Sequence, residues 1–262
     1  MPLKIIFINI KEKHIMKIFK NKKVIVALVA LVAAVAIAVS SALLTIAYLT
    51  SSAAVSNVFT IGNVGITMTE SKVNPDGTKT DGGVTQVDTN TYHLIPDKTY
   101  TKDPRITVKE GSVDSYLFVL VRNDIEAIEA EGESTIAHQL AANGWAKYTR
   151  ASTGWVYIYV GFTTDGEGHT VTKVPAADVT ATAPTLDFTQ TTFPEVKEGN
   201  FILFESFSIA SDANISAYGA AKVTLTAVAI QKEGFSTLAA AWAAVVATYP
   251  YIHTGSNTGS NP

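Results

Sequence analysis

Three hydrophobic patterns succeed one another along the chain. Val24–Leu49 carries no charged residue, and its centre, VIVALVALVAAVAIAV, is almost wholly apolar. From Phe59 onward the apolar residues alternate or crowd into short runs: FTIGNVGITMT, ITVKE, SYLFVLVRN, WVYIYVGFT, FILFESFSI and KVTLTAVAIQ. These runs are dense in aromatic and β-branched residues and are separated by Gly, Pro, Asn and Asp. That is the signature of a mainly β chain folded as an antiparallel sandwich. The stretch NPDGTKTDGG (74–83) has the chemistry of a turn or a long hairpin loop. Its acids lack the spacing of an EF-hand loop, so no calcium site is expected there.

Two segments follow a helical period instead. EGESTIAHQLAANG (131–144) offers Ser134 as N-cap and Gly144 as the C-terminal stop. GFSTLAAAWAAVVATYP (234–250) places Leu238, Trp242 and Val245 on one face, which predicts a helix packed on the sheet. HTGSNTGSNP (253–262) has the composition of a disordered tail, and no sorting-type motif points to covalent wall anchoring.

Charge divides the chain in two. Residues 1–47 hold seven lysines (Lys4, Lys11, Lys13, Lys17, Lys20, Lys22 and Lys23) against one acid, Glu12. The remainder therefore keeps 13 of the 20 basic residues and 22 of the 23 acidic ones, a charge of −9. Phosphate neutralisation needs clustered Lys and Arg, so nucleic acid is not an expected partner. Without cysteine, neither disulfides nor thiolate metal sites are open to the chain. KIFKNKK followed by the apolar stretch is the arrangement of a secretory signal, and an uncleaved anchor is the competing reading. Either way the lysines hold the N-terminus on the cytoplasmic side. Met16 opens an ordinary signal by itself, so translation is expected to begin there.

At the seam, LLTIAYLTSSAAVSNVFTIGNVGITM resembles the signal and early mature region of the TasA/camelysin family. Thr45, Ala47, Tyr48, Leu49 and Thr50 match the first half of that pattern. Asn57, Phe59, Ile61, Gly62, Asn63 and Val64 match the second. Ser51 and Ser52 stand where the family usually has an acidic residue. A second stretch, NTYHLIPDKTYTKDPRITVKEGSVDSYLFVLVRN (90–123), is similar to a segment of exported proteins processed by a SipW-type signal peptidase, with Asp97 in place of a glycine. The resemblance implies a jelly-roll-like antiparallel β-sandwich with a few helices in its connections and near the C-terminus, preceded by an N-terminal hydrophobic signal helix. It also implies cleavage between Ala47 and Tyr48, with Thr45 at position −3; a rival cut by an ordinary peptidase could use SSA or SAA between Ser51 and Ala54. The expected organisation is a signal peptide over 1–47, a free N-terminal segment over 48–57, the sandwich over 58–250 and a tail over 251–262.

Candidate chemistry is sparse. The histidines of the body (His93, His138, His169 and His253) form no H-E-x-x-H and no i, i+4 pair. There is no G-x-S-x-G elbow and no phosphate-binding glycine pattern. EAIEAEGE (126–133) reads as a solvated acidic face. No catalytic residue, cofactor or metal is assigned, and the chain is not expected to be an enzyme.

The resemblance therefore implies an exported structural protein of the cell surface or biofilm matrix, anchored to the membrane only through an uncleaved leader. Its partners would be the SipW-type peptidase and copies of itself. Joining would occur by strand donation, with Tyr48, Leu49, Thr50, Ala53 and Val55 as the donor. Two alternatives stand beside this reading. One is a monomeric adhesin presenting Trp145, Tyr148 and Trp155 as a binding platform. The other is a camelysin-like surface protease.

Overall fold

A computed structural model describes residues 51–250, except 54–55, 177–178, 181, 185 and 190–194, together with the single positions 30 and 252. The chain divides into two units, Met1–Tyr48 and Leu49–Pro262; only the second is described beyond one residue. It begins with β1 (Ser51–Ala53), β2 (Ser56–Ile61), β3 (Ile66–Ser71), β4 (Gln86–Val87), β5 (Thr91–His93), β6 (Thr99–Thr101), β7 (Arg105–Val108) and β8 (Ser115–Asn123). Helix α1 (Ile136–Ala142) follows, then β9 (Trp145–Ala151), β10 (Gly154–Tyr159), β11 (Phe162–Thr164) and β12 (Thr170–Thr172). The chain continues with β13 (Gly199–Ile202), β14 (Ser206–Ser208), β15 (Val223–Gln231) and α2 (Leu238–Thr248). The protein is mainly β, as its alternation predicts.

Two sheets carry the core. The larger has the order β2-β15-β8-β10-β9, and the smaller β13-β7-β3-β4. β15 and β8 are antiparallel from Val223↔Asn123 to Gln231↔Ser115. The inward side chains of the two sheets form one cluster: Ile66 and Met68 from β3, Ile106 and Val108 from β7, Leu117, Val119 and Val121 from β8, and Leu225, Ala227 and Ala229 from β15. The intervening positions Tyr116, Phe118, Leu120, Val228 and Ile230 form a second cluster on the outer face, with Leu238, Ala241, Trp242 and Val245 of α2. This layering explains why SYLFVLVRN reads as a run rather than an alternation: β8 is covered on both faces. A one-residue slip would exchange the two clusters, so the register is strongly specified.

The helices form for local reasons. Thr237 caps α2, its hydroxyl accepting from the Ala240 N–H at 3.1 Å. The buried face of α2 is the one expected from Leu238, Trp242 and Val245, and Trp242 stacks at a tilt on Phe118 with ring centroids 4.9 Å apart. In α1 the cap is Thr135 rather than Ser134. Its hydroxyl accepts from the His138 N–H at 3.3 Å, because the helix starts one residue later than the sequence suggests. Asp97 adopts φ 59°, the only positive φ of a non-glycine among the described residues. An aspartate tolerates that left-handed turn better than most side chains.

One pairing departs from the antiparallel expectation. β2 lies parallel to β15, from Leu225↔Ser56 to Ile230↔Ile61. Gly62, at φ 89°, follows it and turns the chain towards β3.

Candidate functional site

The first described strands, β1 and β2, sit at sheet edges. β1 pairs antiparallel with β5 (Ser51↔His93, Ser52↔Tyr92, Ala53↔Thr91) in an isolated two-stranded ribbon. β2 is the outermost strand of the five-stranded sheet and is paired on one side only. Where it is described, the segment read as free (48–57) is thus paired within its own chain. The reason is the edge of β15, whose N–H and C=O groups need a partner and find one in β2. Among the donor residues, Ala53 lies in β1, opposite Thr91. Thr45, Ala47, Tyr48, Leu49, Thr50 and Val55 lie outside the described residues, as does the rest of 1–50 apart from Ala30 and the stretch beyond Ile252.

The His93–Pro104 stretch closes around a buried polar network. The Tyr100 hydroxyl donates to the His93 carbonyl at 2.5 Å and accepts from the Ile95 N–H at 2.7 Å, which pins the LIPD turn. Tyr92, Tyr100 and Phe207 pack their rings with centroids 5.1 to 5.8 Å apart. Asp103 accepts from the Ser71 N–H and the Ser71 hydroxyl at 2.7 Å each, and from Lys79 Nζ at 2.9 Å. Burial works against its ionised form, but those donors outweigh burial and hold the carboxyl below its usual range. Asn90 accepts from the Val73 N–H and donates to the Ser71 carbonyl, tying β3 to β5 from the side. Lys102 and Glu70 form a fully buried pair at 2.6 Å. The sequence marked this stretch only by resemblance. Its polar residues are spaced without period, so nothing local signals that they meet.

The three aromatics of the platform reading are not grouped at one surface. Trp145 is fully buried and donates its indole N–H to the Ile202 carbonyl at 2.9 Å. Tyr148 is half-buried among Phe118, Phe188 and Trp242. Trp155 is buried at the foot of a cleft of about 820 Å³, with Lys147 Nζ and the Arg150 guanidinium at 5.2 and 5.0 Å from its ring centre. The three rings do not share one exposed face: Trp145 and Trp155 belong to the inner cluster, Trp155 also lining the cleft, and Tyr148 packs on the outer one.

The same cleft corrects the reading of the acidic run. Glu126, Glu131 and Glu133 are exposed, but Glu129 is buried. Its carboxylate accepts from the Ile136 N–H at 3.1 Å and from Asn123 Nδ2 at 2.9 Å. Burial dominates these two bonds and pushes its pKa up to about 7. The side chain is drawn inward because residue 129 bridges to Ile209, a contact 80 residues distant in the chain that no local pattern announces.

The histidines are spread over the fold: His93 on β5, His138 on α1, and His169 in an exposed turn with Nδ1 at 3.1 Å from Asp165. Among the described residues no three His, Asp or Glu side chains are grouped to hold a metal. Comparison with family models, curated proteins and solved structures finds no match to this chain.

Proposed function

We propose that this is an exported structural subunit of the cell surface or biofilm matrix, similar to the fibre-forming TasA-type proteins. In this reading the fold is a jelly-roll-like sandwich, residues 1–47 are a signal helix removed by a SipW-type peptidase after Ala47, and copies join head to tail through the segment that cleavage frees. The observation that carries the reading is the edge position of residues 51–61, which follow the apolar leader directly. β1 belongs to a ribbon of two strands and β2 to the rim of a sheet. An edge strand can leave its own body and occupy the same edge of a neighbour, regaining the same hydrogen bonds. Because each subunit gives its strand to one neighbour and receives one from another, such a contact repeats into an open filament. Before cleavage the strand is tethered to the membrane, which makes processing the switch.

The chain has no cysteine, so a designed pair gives a clean test. Val58 lies opposite Ala227 across β2 and β15. In Val58→Cys/Ala227→Cys, oxidation before assembly should lock β2 on its own β15 and stop filament growth, and reduction should restore it. Oxidation after assembly should link neighbouring subunits into covalent chains on a denaturing gel. Filament growth at the normal rate from fully locked monomer would exclude strand exchange. A mature protein that stays monomeric at all concentrations and ionic strengths would exclude the subunit reading itself.

A further inference from the structure

Lys102 and Glu70 are the most deeply buried charges in the described fold, with side chains 2% and 3% exposed. Glu70 lies on β3. Lys102 lies between β6 and β7, its own N–H bound to the Glu205 carbonyl at 3.1 Å. An ammonium offers three donors and a carboxylate two acceptor oxygens. Here one contact joins them, Nζ to Oε2 at 2.6 Å, and the second oxygen, Oε1, has no hydrogen-bond partner in the protein. Nearby Asp103 is already engaged by Ser71, Lys79 and Arg105. A charged pair buried this deeply makes one hydrogen bond within the protein, and desolvation of both ions offsets most of their attraction. An amide between the same two side chains carries no charge and asks for one donor and one acceptor only.

We propose that Lys102 and Glu70 are a site of spontaneous intramolecular cross-linking, in which the lysine Nζ and the glutamate Cδ condense to an amide. A proton first passes from the ammonium to the carboxylate along their hydrogen bond, leaving a neutral amine and a neutral acid. The amine lone pair then attacks Cδ and forms the C–N bond. The C–O bond of the protonated oxygen breaks, and that oxygen departs as water with the acid proton and one amine proton. The step is a condensation and requires no oxidant, reductant or activated co-reactant. Burial favours the neutral amine of Lys102 and outweighs the opposing charges of Glu70 and Asp103. The product would close a loop spanning 32 residues, from β3 to the β6–β7 connection. A covalent tie there suits a protein that must persist outside the cell without disulfides.

Intact mass of the purified protein tests this directly. The wild-type chain should be lighter than its sequence by one water, and Lys102→Met should have its full sequence mass. Tryptic digestion of the wild type should leave residues 99–105 uncut after Lys102 and branched to the peptide that contains Glu70. A wild-type mass equal to the sequence, with ordinary cleavage after Lys102, overturns the proposal. So does a water loss that persists in Lys102→Met. The wild-type measurement decides the matter even if the variant fails to fold, and it does so independently of whether subunits polymerise.

Discussion

Glu129→Gln should make the protein more stable at alkaline pH and remove one component of its pH dependence. The native carboxyl is pushed from an ordinary 4.5 up to about 7 by burial beside β10 and α1. In the unfolded chain it returns to its ordinary range. Between those two values the native state binds more protons than the unfolded state, so stability falls as pH rises. Below 4.5 both states are protonated and the carboxyl has no such effect; above about 7 the penalty is complete. Over that interval, at about 1.4 kcal/mol per pH unit, the loss comes to about 3 kcal/mol. Glutamine keeps an acceptor for the Ile136 N–H, but its amide meets the Asn123 amide, at a cost of about 1 kcal/mol. The net gain above pH 7 should therefore be about 2 kcal/mol, turning to a small loss near pH 4.5. Thermal or urea unfolding of both proteins across this range gives the difference curve, in which other titrating groups cancel. A flat difference, or one in which the variant gains stability as pH falls, would refute the argument from burial.

Two further predictions concern the layers and the turn. Trp242→Ala should cost about 3–5 kcal/mol, read as a fall in the urea midpoint, because the indole fills the space between α2 and the outer face of β8. Loss of less than about 1 kcal/mol would mean that α2 contributes little to the fold. Asp97→Gly should raise stability by about 0.5–1 kcal/mol by relieving the left-handed backbone at φ 59°. A loss instead would show that the aspartate side chain, and not the backbone alone, holds the turn.

Local pattern determined much of this protein. The alternation of β15, the continuous apolar run of β8, the capped helix with Leu238, Trp242 and Val245 on one face, and the tolerance of Asp97 for a turn are all written in residues a few positions apart. Such features are legible because strand and helix periods repeat within one element. The division of charge between residues 1–47 and the remainder is equally a property of the chain alone. What the tertiary structure decided depends on partners far apart in sequence. β2 runs parallel to β15 because the sheet edge, not the turn chemistry, chose its direction. The bridge from Glu129 to Ile209 carries one member of an acidic run into the interior, while Glu126 and Glu131 stay in water. Trp145, Tyr148 and Trp155 lie close enough in sequence to suggest one binding platform, and only the fold divides them between two clusters. Lys102 and Glu70 carry no local mark of their meeting. Two folded segments bring them together, and the burial of both side chains sets the chemistry open to them.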